Sequence, residues 1–597
     1  MAAAPPSFAA DPQPYTVAIA KTGNAALDRA LTDSSRLIEL REKAPVGPFA
    51  LTERAREDGG RFVTALNSFG YYKGGVDISI AGHALDDPAL ADLLARLPAS
   101  PPAEVAIAVR LGPLFHIGAI TVEGSLPPEA RGSLGLALGA PAAASDVLTA
   151  QTRLLDSLRS RGYALAQVSR PKAIEDPNAD TLDLTYEVKA GPRVEFGAIS
   201  ITGLHDVNEA FVRKRLLIYP GEQFSPEAVE KARADLAATG VFSSVRAVPA
   251  DKLDAEGRLP IAFEVIERDR HTVAVGGAYS TDLGAILNST WSDRNLFGNA
   301  EQLNLSAGVQ AGGSAVVRPG YNASAQFIKP DFLDRDQSLQ FDLGAVKQSL
   351  IAYDQKAVSF DALLKRKLSE HWSGSIGISG EEERIAQEGV TRSYTLAALP
   401  FTVKYDSTNN LFDPREGIRA GLALTPTEAL GHNSATFMLT QLSAATYLDL
   451  SSLWDEEGRS IIALRGLAGD AVGGSQFGLP PDQRFYAGGS ATVRGYKYQT
   501  LGPLFPDDKP AGGTSILTGT VELRQRVLQD YGFAIFVDGG EVSAGSAGFG
   551  GRFGIGAGFG LRYFTPIGPI RLDIAVPLIK EPESGTFQIY IGIGQAF

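Results

Sequence analysis

From residue 269 to the C-terminus, apolar and polar residues alternate with a period of two. Leu303, Leu305, Ala307 and Val309 share one face, and Gln302, Asn304, Ser306 and Gln310 the other. Leu339, Phe341 and Leu343 alternate with Gln340 and Asp342, and Leu399, Phe401, Val403 and Tyr405 with Thr402, Lys404 and Asp406. Ile570, Leu572, Ile574 and Val576 alternate with Arg571 and Asp573. A period of two is the signature of a strand whose faces meet different surroundings. A soluble sandwich and a membrane barrel both produce it, and two stretches separate them. Between Phe553 and Tyr563 the residues Phe553, Ile555, Ala557, Phe559, Leu561 and Tyr563 oppose Gly554, Gly556, Gly558 and Gly560. A glycine face packs poorly as a core but suits a wide barrel wall against which another segment lies close. The last predicted strand, Thr586 to Phe597, puts Phe587, Ile589, Ile591, Ile593 and Phe597 on one face, an outward apolar band ending on an aromatic. At about 20 residues per strand and turn, the region predicts roughly 16 antiparallel strands.

Ahead of residue 269 the pattern changes to mixed helix and strand, and it repeats. Gly112 to Gly124 reads GPLFHIGAITVEG and Gly191 to Gly203 reads GPRVEFGAISITG. Each pairs a Gly-Pro start with an alternating strand and a closing glycine; two helical segments and two strands are expected after each. In the later copy the helices are Asn208 to Leu217 and Pro226 to Thr239, with Ser225 as N-cap and Pro226 in the first turn, where its missing N–H costs nothing. Gly162 and Gly240 supply left-handed C-caps. Closing strands run Thr181 to Val188 and Leu259 to Val265. A more divergent first copy has strands Tyr15 to Ile19, Val76 to Ile80 and Val105 to Val109, helices Asn24 to Glu42 and Thr52 to Ser68, and Gly70 at a helix end. The resulting division is 1–13 as an N-terminal remnant without intact signal-peptide character, repeats at 14–111, 112–190 and 191–268, and a barrel at 269–597.

Composition narrows the function. Cysteine is absent, which removes disulfides, thiolate metal sites and cysteine nucleophiles. A net charge of −13 argues against a nucleic-acid partner. The mean hydropathy of −0.02 hides a barrel, because barrels spread their apolar residues over alternating positions. Histidines 83, 116, 205, 271, 371 and 432 are scattered; no HExxH, GxSxG or GxGxxG spacing occurs. We therefore expect no enzyme, no catalytic or metal site and no cofactor. The run Glu381-Glu382-Glu383 is expected in a solvated extracellular loop, a cation site being the rarer alternative.

Phe485 to Pro503 reads FYAGGSATVRGYKYQTLGP. Within it, Val493-Arg494-Gly495-Tyr496 resembles the VRG-(F/Y) loop signature of the outer-membrane insertase superfamily, whose long loop folds back into the barrel. Phe536-Val537-Asp538-Gly539-Gly540 resembles its F-x-D-x-G strand motif, Asn295-Leu296-Phe297-Gly298 its NLFG turn, and the repeats its polypeptide-transport-associated (POTRA) domains. The fold class so implied is an α+β array of three β-α-α-β-β POTRA repeats followed by an all-β transmembrane barrel of about 16 antiparallel strands. Three repeats, with Asp406-Ser407-Thr408-Asn409-Asn410, Asp413-Pro414 and Gly417, resemble the TamA branch, the outer-membrane subunit of the translocation and assembly module. That resemblance implies insertion of autotransporters or other outer-membrane barrels, outer-membrane lipid around the barrel, and a TamB-like inner-membrane-anchored partner. The competing expectations are a two-partner secretion translocator and a passive porin.

From position alone Arg494 would be read as solvated. A loop returning into a partly wet lumen needs an anchor, however, and a guanidinium can form a bidentate pair with a carboxylate. The family pattern makes Asp538 the acceptor; Glu522 is a second, and Gly488, Gly489 and Gly495 are expected to let the loop approach the glycine wall. The lateral seam between first and last strands is expected at Gly276 and Gly277 (within Thr272 to Tyr279) and at Gly592, Gly594 and Phe597, with Val273 near Ile593. Glycine on both sides predicts the weakest ladder; relief of crowding at barrel corners is the competing reading.

Overall fold

The structure is a computed structural model that describes residues 12–597 apart from 99, 131, 177, 313–316, 432–433, 451–457, 546–549, 567 and 582–583. Most of the N-terminal remnant, 1–11, lies outside the described residues. The chain forms two compact units: residues 1–202, 217–234 and 246–264, and residues 203–216, 235–245 and 265–597.

Each repeat closes on itself by a parallel pairing of its opening and closing strands. Tyr15–Ile19 pairs with Ala103–Arg110, His116–Ser125 with Thr181–Lys189, and Phe196–Thr202 with Leu259–Glu267. In the first repeat the helix expected over Asn24 to Glu42 breaks at Ser35 into Ala25–Ser34 and Arg36–Glu39. There the buried Asp58 carboxylate accepts from the Ser35 hydroxyl and the Leu37 N–H, a local alternative to helix that stops the first segment. The expected first helix of the second repeat is only the 3₁₀ turn Pro128–Ala130, in a stretch interrupted by Pro127, Gly132, Gly135 and Gly139. In the third repeat Ser225 Oγ accepts from Ala228 N at 3.2 Å; Gly162 of the second repeat and Gly240 of the third adopt φ of +91° and +78° as the capping argument requires.

The barrel runs from His271–Ser280 to Gln588–Ile593 and closes. Val390–Ala398 and Phe401–Asp406 lie end to end between the same two neighbours, interrupted at Leu399-Pro400, so they count as one strand of 16. Proline cannot donate to a ladder, which explains the break. Among the described residues no helix is long and apolar enough to cross a membrane; the crossing is made by strands. Phe553, Phe559, Leu561 and Tyr563 point outward and are roughly half exposed, as the alternation requires. The end where the chain arrives at His271 is called proximal below, the opposite end distal.

Within the second unit the NLFG turn has a visible purpose. Asn295 Nδ2 donates to Asp206 O at 2.9 Å, its Oδ1 accepts from Ala300 N at 2.9 Å, and Asn208 N donates to Gly298 O at 2.8 Å. Gly298 has φ of +94°, and a Cβ there would lie 2.6 Å from the Asn208 side chain. The next proximal turn contributes Asp331, 2.6 Å from Arg215 of the helix Glu209–Leu216.

Candidate functional site

The long distal loop, 473–514, joins Ser460–Val472 to Ser515–Arg526. Its tip lies against the inner wall of Arg552–Thr565 because that wall has no side chains there. A Cβ on Gly556 would sit 1.8 Å from Arg494 O, and one on Gly554 would sit 2.7 Å from Leu501 and 2.9 Å from the Tyr496 ring. On the loop side Gly495, at φ +100°, would place a Cβ 2.7 Å from Val576 C. Gly488 and Gly489 do not approach the wall. They fold the loop on itself, a Cβ on Gly488 falling 2.2 Å from Lys497 O and Gly489 N donating to Tyr496 O at 3.0 Å.

Arg494 is 2% exposed, with Val493 and Tyr496 wholly buried beside it. Its Nε and Nη2 donate to Asp538 at 2.7 and 3.0 Å, the bidentate geometry of guanidinium on carboxylate, and its backbone N donates to Asp538 Oδ2 at 2.9 Å. Nη1 reaches Glu522 at 2.8 Å and Asp573 at 3.4 Å. The guanidinium carbon lies 3.3 Å from the centre of the Phe536 ring, a cation–π contact in a water-poor setting. Asp538 and Glu522, named from the sequence, are thus brought together with Arg494. Phe536 and Asp573, quoted above only within strand patterns, were not expected at the anchor, and neither were Arg524 and Arg562. Glu522 also accepts from Arg524 at 2.9 Å, and Asp573 pairs with Arg562 at 2.5 Å and Arg571 at 3.3 Å. A signal for Asp573 existed: it places a charge on the inward face, between the outward-facing Leu572 and Ile574.

The seam lies next to this anchor. The first and last strands pair at only Tyr279↔Ile591 and Ser280↔Tyr590, whereas the last strand pairs with its other neighbour from Ile570↔Ile593 to Ala575↔Gln588. Thr281 extends the closure slightly, its N donating to Ile589 O at 3.2 Å and its Oγ1 to Gln588 at 2.5 Å. Loop 473–514 bonds both sides of the junction. Gly495 N donates to the Tyr590 hydroxyl at 3.2 Å, which donates to Tyr496 O at 3.3 Å; Tyr498 N donates to Asp282 at 2.7 Å, just past the first strand.

The glycines expected on both sides of the seam do not lie in its ladder. Gly276 and Gly277 pair with Asn288 and Leu287 of the second strand, and the closing ladder stops before reaching them. A Cβ on Gly276 would meet nothing within 4 Å, so crowding does not select it either. Gly592 pairs with Arg571, and Gly594, at φ +87°, turns the chain out of the ladder, so the last strand ends at Ile593 instead of Phe597. Phe597 consequently leaves the outward band. It packs 5.1 Å from the guanidinium of Arg524, which shares the inward face with Glu522, and stacks on Tyr447 at 6.3 Å. Val273 has no partner on the seam side, and Ile593 pairs only with Ile570 among the described residues. The acid run is likewise not in a loop. Glu381, Glu382 and Glu383 lie in the strand Trp372–Gln387, and its alternation turns Glu383 inward to 2% exposure.

Residues 295–597 match the Omp85 superfamily domain, and residues 194–268 match the POTRA family described as a surface antigen variable number repeat. The outer membrane protein assembly factor BamA of Neisseria meningitidis serogroup B is 22% identical over 83% of this chain and 68% of its own. That of Neorickettsia risticii is 24% identical over 74% of this chain and 60% of its own, so the chain spans less than two thirds of that relative. The crystal structure of Haemophilus ducreyi BamA lacking POTRA domains 1–3 superposes with a TM-score of 0.66 at 18% identity, covering 80% of this chain and 100% of that one.

Proposed function

The chain belongs to the Omp85 superfamily, an outer-membrane barrel with periplasmic POTRA repeats, and on that premise we propose that it inserts other barrel proteins into the membrane by parting its first and last strands. The observation that carries this reading is the seam: a ladder of two residue pairs, beyond which His271 to Ala278 keep their seam-side backbone groups unpaired among the described residues. An unpaired edge is a template for an incoming strand, and pairing to it satisfies client backbone groups that lipid cannot. No covalent bond is made or broken in such a cycle, so neither a cofactor nor a catalytic group is needed. The clamp across the junction gives the cycle a closed state. Releasing Tyr590 and Asp282 from the loop frees both strands at once.

The finer reading places the chain in the TamA branch, with autotransporters among its clients and a TamB-like partner at the POTRA repeats. Its support is the three repeats and the motifs after Asp406. A two-partner secretion translocator would thread its cargo through the lumen, which the docked loop occupies here. The test is reconstitution. Full-length protein in liposomes should raise the rate at which a urea-unfolded outer-membrane barrel acquires heat-resistant mobility several-fold over liposomes carrying an unrelated barrel. Equal rates would refute insertion.

A further inference from the structure

The acid run that sequence reasoning assigned to a loop is the start of a second arrangement, remote in sequence from the arginine anchor. Glu381 and Glu383 stand two residues apart on the inward face of Trp372–Gln387, in its distal half. Loop 473–514 brings Asp482 against them through the short 3₁₀ turn Pro481–Gln483, so that oxygens of all three carboxylates lie within 4.8 Å of one another. We propose that Glu381, Glu383 and Asp482 bind a divalent cation of the calcium type, which ties the loop to the barrel wall at a second point.

Three observations carry this. Carboxylate oxygens within 4.8 Å of one another fit a shell of calcium–oxygen bonds of about 2.3–2.6 Å, with water completing the six to eight ligands. Glu383 is 2% exposed; its Oε2 accepts from Gln355 at 2.8 Å, but its buried Oε1 has no hydrogen-bond partner, and neither has Oδ1 of Asp482. Such atoms are costly unless something meets them. Third, none of the ion pairs among the described residues includes any of the three carboxylates. Arg484, two residues from Asp482, spends its donors elsewhere, on Leu479 O, Ala511 O and Gln387 Oε1. Three carboxyl groups without a paired cationic side chain form a hard-oxygen donor set, and such sets select calcium or magnesium over softer metals.

The experiment uses full-length protein in detergent, stripped with chelator and titrated with calcium chloride at neutral pH by calorimetry. One site per chain is expected, with a dissociation constant on the order of 10⁻⁴ M or tighter. Glu383→Gln and Asp482→Asn should each weaken binding at least about tenfold while the barrel keeps its heat-resistant mobility. In wild type, added calcium should slow proteolysis within 473–514, and chelator should reverse this. That readout does not depend on any variant folding. Absence of saturable calcium binding, as expected if the carboxylates instead share protons, would overturn the proposal. So would binding that both substitutions leave unchanged, as expected if calcium sits only at the outer rim.

Discussion

Replacing Arg494 by alanine removes the only side chain bonded to the Asp538 carboxylate among the described residues, leaving it the Arg494 backbone N–H. The other two carboxylates are better insured: Glu522 keeps Arg524 at 2.9 Å, and Asp573 keeps Arg562 at 2.5 Å and Arg571 at 3.3 Å. The loss therefore concentrates on Asp538, which is fully buried. Stranding one member of a buried ion pair costs about 3–5 kcal/mol, and a desolvated cation–π contact with Phe536 adds up to about 2 kcal/mol. A change near 4 kcal/mol raises the ratio of undocked to docked loop roughly a thousandfold, since 1.4 kcal/mol is tenfold. Limited proteolysis of the 473–514 loop in the folded barrel reads that ratio. Asp538→Asn alone should approach the same loss. The double variant should be little worse than either single one, because with the arginine gone the pair is already broken and Asp538→Asn only removes the stranded charge. Additive losses would show that the two residues act independently and would refute the anchor.

Gly556→Ala should undock the loop as effectively as losing Arg494, since its Cβ would fall 1.8 Å from Arg494 O; limited proteolysis should show loop cleavage in a barrel that remains heat-resistant. Tyr590→Phe and Asp282→Ala each remove loop bonds to one side of the seam, at about 1 kcal/mol per bond. Hydrogen exchange should quicken several-fold at 279–281 and at Ile589, whose N–H donates to Thr281 across the seam, and stay unchanged at 570–575 on the other side of the last strand. In the third repeat, burial alone would raise the Glu267 carboxyl, but N–H donors of His205, Asp206 and Val207 outweigh it and hold the group below the usual carboxylate range. A depressed folded value means stability that is present above the ordinary carboxylate range and lost as pH falls through the folded value. The extra amide protection that wild type shows over Glu267→Gln at 205–207 near neutrality should accordingly vanish on acidification.

What the sequence made legible followed local rules. Period-two alternation located the barrel, the glycine series of 554–560 announced a segment lying against the wall, and Ser225, Gly162 and Gly240 marked helix ends by capping chemistry alone. Arg494, Asp538 and Glu522 came together as read, since an arginine in a returning loop has few ways to be satisfied. The misreadings at the seam concern register and closure, which no local pattern encodes. A single left-handed residue, Gly594, ends the last strand at Ile593 and redirects Phe597 inward. Closure of the last strand on the first named the two strands of the seam, but glycine content did not give their pairing, because pairing across a closure joins strands from opposite ends of the barrel sequence. The acid run looked solvated because the strand Trp372–Gln387 is long enough to carry its charges into the distal lumen, where Asp482 meets them only after the loop has folded back.

Lateral opening is the claim on which the functional account rests, and a lock across the observed register tests it most directly. Tyr279 and Ile591 are directly paired and both point outward, so Tyr279→Cys with Ile591→Cys can form a disulfide without touching Tyr590 or the loop. The chain has no natural cysteine to confuse the result. In liposomes the oxidised protein should lose client insertion while its barrel stays heat-resistant, and reduction should restore the wild-type rate. Fully cross-linked protein that inserts clients as fast as its reduced form would contradict the account.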